Sequence, residues 1–300
     1  MGRPGLFGAL LAFGATWGLT MPLIRVAVST GHRPLGLIVW QQAIMLVLLL
    51  PLLRAVGQPL PKVRGNLTLF LVVAGFGSVL PGYFTFLTAV DLPAGVRSII
   101  LALVPMFVLP MALVAGLERP DGWRFLGVVL GGISMALICL PGARVTGTIG
   151  AGVILLAMIA PLCYAVEANY LAWRGNGGLS PFQLLVGASA VGLILSVPLA
   201  AAAGQMTWPR GLGPAEWALL GAGALNVLAY SGYVWLVTQA GSVFASQIAY
   251  LVTGFGVVWS ALLLGERYSL LVWVAFAVML AAIALVQPRP GRPKGRQRRT

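Results

Sequence analysis

Acids, histidine and cysteine are scarce in this chain: six Asp and Glu, one His and two Cys among 300 residues. A metal centre needs several such ligands, and nucleophilic catalysis needs a base beside its nucleophile. His32 lies in a short connection, Cys139 and Cys163 fall in apolar runs, and Glu167 is the only acid well inside one. No GxSxG, HExxH or P-loop pattern occurs. The sequence therefore predicts no enzyme, cofactor, metal or disulfide. Polar surface is missing too. With 8% charged and 59% hydrophobic residues and a mean hydropathy of +0.96, the chain cannot clothe itself in water, which marks an integral membrane protein.

A helical span needs about 20 apolar residues. Breaks at charge, glycine and proline clusters cut ten such runs, too long and too uniformly apolar for barrel strands. They run near Leu6 to Val28, Leu35 to Val56, Leu67 to Val90, Ala94 to Leu117 and Trp123 to Leu140. The second set is Ile149 to Trp173, Phe182 to Ala203, Ala215 to Thr238, Val243 to Leu264 and Leu270 to Gln287. The first run exceeds a signal-peptide core and is read as a retained span.

Residues Asp91 to Pro141 and Gln239 to Pro288 share one design. Each is an apolar helix, a Glu-Arg pair (Glu118-Arg119, Glu266-Arg267), a tight turn and a second apolar helix, and the pairs stand 148 residues apart. Two halves of five spans each must have opposite topology, an architecture from which carriers build a gated central site. The expected units are 1–146, 147–288 and a basic tail, 289–300. Thirteen Lys and Arg lie on the termini side against six on the other, which puts both termini in the cytoplasm. Six of the thirteen are in the tail. The net charge of +13 sits largely at membrane ends and in this tail, so its partner is a bilayer surface rather than nucleic acid.

Polar and aromatic side chains in spans should face a cavity, since lipid offers them no partner. Asn226, Tyr230 and Tyr233 share one face at i, i+4 and i+7. Ser246, Gln247, Tyr250 and Thr253 in span nine, Ser78, Tyr83 and Thr85 in span three, Gln41 and Gln42, Trp17 and Thr20, and Tyr164, Glu167 and Asn169 add to the set. From it, Trp17, Gln42, Tyr83, Tyr164, Asn226, Tyr230, Ser246, Gln247 and Tyr250 are the expected substrate contacts. Such a lining suits a small amphipathic solute. Interface anchoring and helix bonding are the bland readings for Tyr, Trp, Gln and Asn. Glu167 would bind an ammonium or carry a proton, unless it reaches the headgroups or Arg174. Asp91, Arg25 and Arg97 are expected to pair near one interface. Interior proline removes a helical hydrogen bond, so Pro105 and Pro110 in span four, matched by Gly254 and Gly256 in span nine, are the expected gating points. Glu118 and Glu266 are expected to cap the helix that follows each.

Trp17-Gly18, Pro105, Gly116-Leu117-Glu118-Arg119, Gly127, Gly131 and Gly132 in the first half, with Gly265-Glu266-Arg267 and Ala275, Ala277, Ala281 and Ala282 in the second, resemble the EamA-like branch of the drug/metabolite transporter superfamily over nearly the whole chain. Leu117 within the first motif, Tyr164-Ala165 and Thr253-Gly254 depart from the family's usual residues. The resemblance implies an all-α protein of ten transmembrane helices in two inverted five-helix repeats around a central cavity, in a bacterial inner membrane. The polar set is most similar to amino-acid exporters, including the YddG type for aromatic amino acids. Exporters of other metabolites or drugs are the alternative, and a non-transporting receptor or assembly factor the alternative of another class. Monomer and homodimer are both open.

Overall fold

The computed structural model describes residues 3–117, 121–140, 150–206, 211, 213–240 and 248–286. All its regular elements there are helical, and they form ten rods. The first five are α1 (Arg3–Gly18) with α2 (Thr20–Val28); α3 (Pro34–Ala55); α4 (Leu67–Ala74), a π-helical turn (Gly75–Val79) and α5 (Leu80–Thr88); α6 (Ala94–Leu101) with α7 (Val104–Val114); and α8 (Gly122–Cys139). The second five are α9 (Ala151–Ala157) with α10 (Ile159–Arg174), α11 (Pro181–Ala202), α12 (Pro214–Ala240), α13 (Ile248–Leu264) and α14 (Leu270–Val286). By length and composition, six rods can cross a bilayer: those over 4–28, 34–55, 67–88, 94–114, 151–174 and 181–202. Within α8, α13 and α14, shorter apolar stretches were found. Large apolar side chains lie bare on the outside, Val114 at 91% and Leu270 at 80% exposure among them, as lipid contact requires.

Proline explains most of the breaks within rods. A proline at i cannot donate to the carbonyl at i−4 and crowds it. The interruption at Leu19 precedes Pro22, the π-helical turn precedes Pro81, that at Ala102–Leu103 precedes Pro105, and that at Met158 precedes Pro161. Pro51, Pro110 and Pro198 lie in helices that continue through them. Stops follow local chemistry as well. Gly116 (φ +67°) and Gly265 (φ +64°) take the left-handed conformation just after α7 and α13, and Leu117 N–H closes the first stop on Ala112 O at 2.8 Å. Asp121 caps α8, and Ser180 with Gln183 forms a capping box on α11.

The main packing contacts run between the halves. Span one packs on spans eight and nine, while span six packs on three and four. Span two contacts seven and eight, and span seven contacts two and three. Spans four and nine pair, as do five and ten. Renumbering each span by five returns these same pairings, although span ten also touches span four. One polar tie at the five–ten pair is Ser134 Oγ donating to Ala275 O at 2.7 Å, and Gly131 brings α8 close to Met106.

Candidate functional site

Between the two halves lies a cavity of about 810 Å³. Spans one to four and six to nine all contribute to its wall. Of the expected contacts, Trp17, Gln42, Tyr164, Asn226 and Tyr230 line it, as do Gln41, Ser78, Thr85, Tyr233, Thr253 and Glu167. Trp17 Nε1 donates to Asn226 Oδ1 at 2.9 Å, tying span one to span eight. The Trp17 and Tyr233 rings stand 6.3 Å apart, with Tyr230 6.4 Å from Tyr233. Ser78 Oγ donates to Gln42 Oε1 at 3.0 Å, while Gln42 Nε2, pressed beneath Gly192, has no partner among the described residues. The wall thus combines aromatic rings with amide and hydroxyl groups.

Glu167 belongs to this wall. A Cβ on Gly77 would meet its carboxylate oxygen at 2.4 Å, so the acid lies directly against the π-helical turn of span three, an irregularity frequent at functional sites. Seven residues, about 10 Å of helix, separate it from Arg174. Asn169 is spent on bonds to Val108 O and Ala165 O, at 3.2 and 2.9 Å.

Several expectations give way. Tyr83 does not line the cavity; its ring meets Phe84 edge-on at 5.3 Å and packs in the cluster around Leu37 and Ile38. Tyr250 turns instead to the cluster around Ile99 and Met106. Pro105 lines the cavity at the break in span four, but Pro110 is exposed within an unbroken helix. Span nine shows no matching break: α13 continues through Thr253, Gly254 and Gly256. Gly256 is instead a close contact, where a Cβ would meet Ser98 Oγ at 2.1 Å, and on Gly18 a Cβ would meet Gly256 N at 2.8 Å. Span one thus comes close to the span-nine backbone at Gly256, and span four meets the same glycine through the Ser98 side chain. Ser246, Gln247, Glu118-Arg119 and the tail lie outside the described residues.

Glu266 caps a helix of the other half rather than the one that follows it. Its carboxylate accepts from Ala94 N at 2.8 Å and Gly95 N at 3.2 Å, the start of α6, and from Tyr268 Oη. Burial, then the bond to Glu266, pushes the Tyr268 hydroxyl well above the ordinary tyrosine range, so the phenol stays a donor. His32 pairs with Glu216 at 3.0 Å, another link between the halves. Neither Arg25 nor Arg97 pairs with Asp91. Arg25 donates to Ala89 O and Val90 O at the end of α5. Arg97 is 5% exposed, lines the cavity and donates from Nη2 to Met21 O at 2.9 Å. Its Nε and Nη1 have no partner among the described residues, an omission that costs about 1–3 kcal/mol for a buried donor. Sequence reasoning placed Arg97 at an interface because a charge near a span end usually reaches one.

Comparison with known proteins bears on what such a chamber is for. The model of the EamA-like transporter family matches twice, over residues 4–140 and 151–287. The uncharacterized inner membrane transporter YedA of Escherichia coli K12 is 27% identical over 289 residues, covering 94% of this chain and 90% of YedA, and the same relative from strain O157:H7 matches equally. A solved crystal structure has a TM-score of 0.62 over 95% of this chain and 96% of its own. At 19% identity, that likeness concerns the fold alone. Since each half carries one complete family match, the chain belongs to the EamA-like transporter family.

Proposed function

We propose that this protein exports small amphipathic metabolites, foremost amino acids with aromatic or apolar side chains, across a bacterial inner membrane by alternating access. Ten spans in two inverted five-span halves, with both termini cytoplasmic, carry the chamber in this reading. The observation that supports it most is the 810 Å³ cavity walled by both halves, with Trp17, Tyr164, Tyr230 and Tyr233 beside amide and hydroxyl groups. Rings stack on a flat or apolar side chain, while Asn226, Gln41 and Ser78 offer hydrogen bonds to a substrate's polar end. The inner membrane location follows the relative YedA.

Glu167 is the chamber's acid for a substrate ammonium or a coupled proton, so transport is either uniport or proton-linked. Pro105 gives span four a bendable point. The test is counterflow with purified protein in liposomes, screening labelled amino acids, nucleosides and cationic drugs. Exchange of aromatic or apolar amino acids is expected, and a protein that exchanges only nucleosides or cations overturns the substrate assignment. Glu167→Gln should abolish any dependence on a pH gradient; a wild type indifferent to that gradient rules out proton coupling.

A further inference from the structure

We propose that Arg97 is the docking point for a carboxylate on the transported solute. This deepens the transport reading of the chamber and rests on it. Arg97 is a cation held to 5% exposure in the chamber wall, with a single hydrogen bond among the described residues, to Met21 O. Nε and Nη1, which carry three of the guanidinium's five N–H groups, are unpartnered among the described residues.

Among the described residues, no acid near Arg97 bonds to it. Glu266 is within Coulombic reach of Arg97, but its oxygens accept from Ala94 N, Gly95 N and Tyr268 Oη. Asp91 is exposed and unpaired with Arg97. Glu167 lies against Gly77 and level with Val108, to which its helix is tied by Asn169. Eleven residues of span four, roughly 16 Å at helical rise, separate Arg97 from that level. With no described acid bonded to Arg97, a ligand entering the chamber is the anion that this proposal assigns to it.

The surroundings also select the kind of anion. Glu266 adds negative charge nearby, which disfavours a dianion such as a phosphate ester and leaves a monoanion, for which a carboxylate matches the planar guanidinium. Arg25 carries further positive charge close by. At the adjacent crossing, Ser98 of span four and Gly18 of span one both lie against Gly256 of span nine, so an anion that draws on Arg97 acts at the point where both halves meet.

The test uses the full-length protein in detergent, titrated with L-phenylalanine, 3-phenylpropionate and L-phenylalaninamide and read by thermal stabilisation. Both carboxylates should bind, and the amide should bind about tenfold or more weakly. Arg97→Gln should erase that preference, and Arg97→Lys should retain part of it. Equal binding of amide and acid by the wild type overturns the proposal without recourse to any variant. So does an Arg97→Gln protein that keeps carboxylate affinity within about twofold, a difference of only ~0.4 kcal/mol. Liposome flux separates the two readings. Arg97-dependent binding without flux leaves the docking point standing and removes transport, whereas flux untouched by Arg97→Gln removes the docking point alone.

Discussion

Spans four and nine occupy equivalent places in the two halves, pack on each other and are built in opposite ways. Span four is interrupted at Ala102–Leu103 before Pro105, carries the under-bonded Arg97, and starts beneath a carboxylate supplied by the other half. Described from Ile248 on, span nine has no interior proline, bonds Thr253 Oγ1 back to Ala249 O, and presents Gly256 as a surface for span four to lean on. One member of the pair is a jointed rod and the other a rail. A duplicated fold therefore need not move symmetrically: of these two spans, the one with the proline can bend while the one with the glycine fixes the crossing point. Proline frees a carbonyl and weakens one turn, whereas glycine keeps the helix and removes only the side chain that would hold neighbours apart.

The comparison can be broken at several points. The all-or-none case is topology. Single cysteines at Arg119 and Arg267, with Cys139 and Cys163 replaced, should label from opposite sides of the membrane; labelling from one side defeats the inverted pairing of the two spans. Next comes Gly256→Ala, whose methyl group would drive into Ser98 and Met21. It should lower thermal stability by about 1–3 kcal/mol, whereas Gly254→Ala, with nothing nearer than Phe276 at 3.9 Å, should change it by no more than about 0.5 kcal/mol. Glu266→Gln weakens charge-assisted bonds to two helix-start N–H groups and should lower stability by about 1–2 kcal/mol in detergent melts. Pro105→Ala should leave the fold intact and slow flux by about tenfold, ~1.4 kcal/mol of barrier, by stiffening the joint. Pro110→Ala, in an unbroken and outward-facing turn, should leave flux nearly unchanged.

Much of this architecture is legible in the residues. The run read as Phe182 to Ala203 is the helix Pro181–Ala202, and that read as Leu270 to Gln287 is Leu270–Val286, because length and apolarity suffice to mark a span. The face Asn226, Tyr230 and Tyr233 is also readable, since i, i+4 and i+7 superpose on a helix. Tyr83 fails the same rule. It stands five residues after Ser78, about 140° around the helix, while Thr85, seven residues on, returns to the cavity. Tyr250 likewise falls beside the face formed by Ala249, Val252 and Thr253. Polar content picks the right spans, and only the phase within each span separates lining from packing. Arg97 and the cross-half cap by Glu266 are of another kind. Both depend on which helix of the second half lies against which of the first, and hydropathy along one strand of sequence carries no such pairing.

The account stands on the chamber being the solute's path. Its most direct test is counterflow of labelled L-phenylalanine through liposomes holding Asn226→Ala, Tyr230→Ala, Tyr83→Ala or Tyr250→Ala protein. Exchange should fall steeply for Asn226→Ala and Tyr230→Ala, which line the cavity, and persist for Tyr83→Ala and Tyr250→Ala, which do not; the opposite ranking, or full exchange in all four, would contradict it.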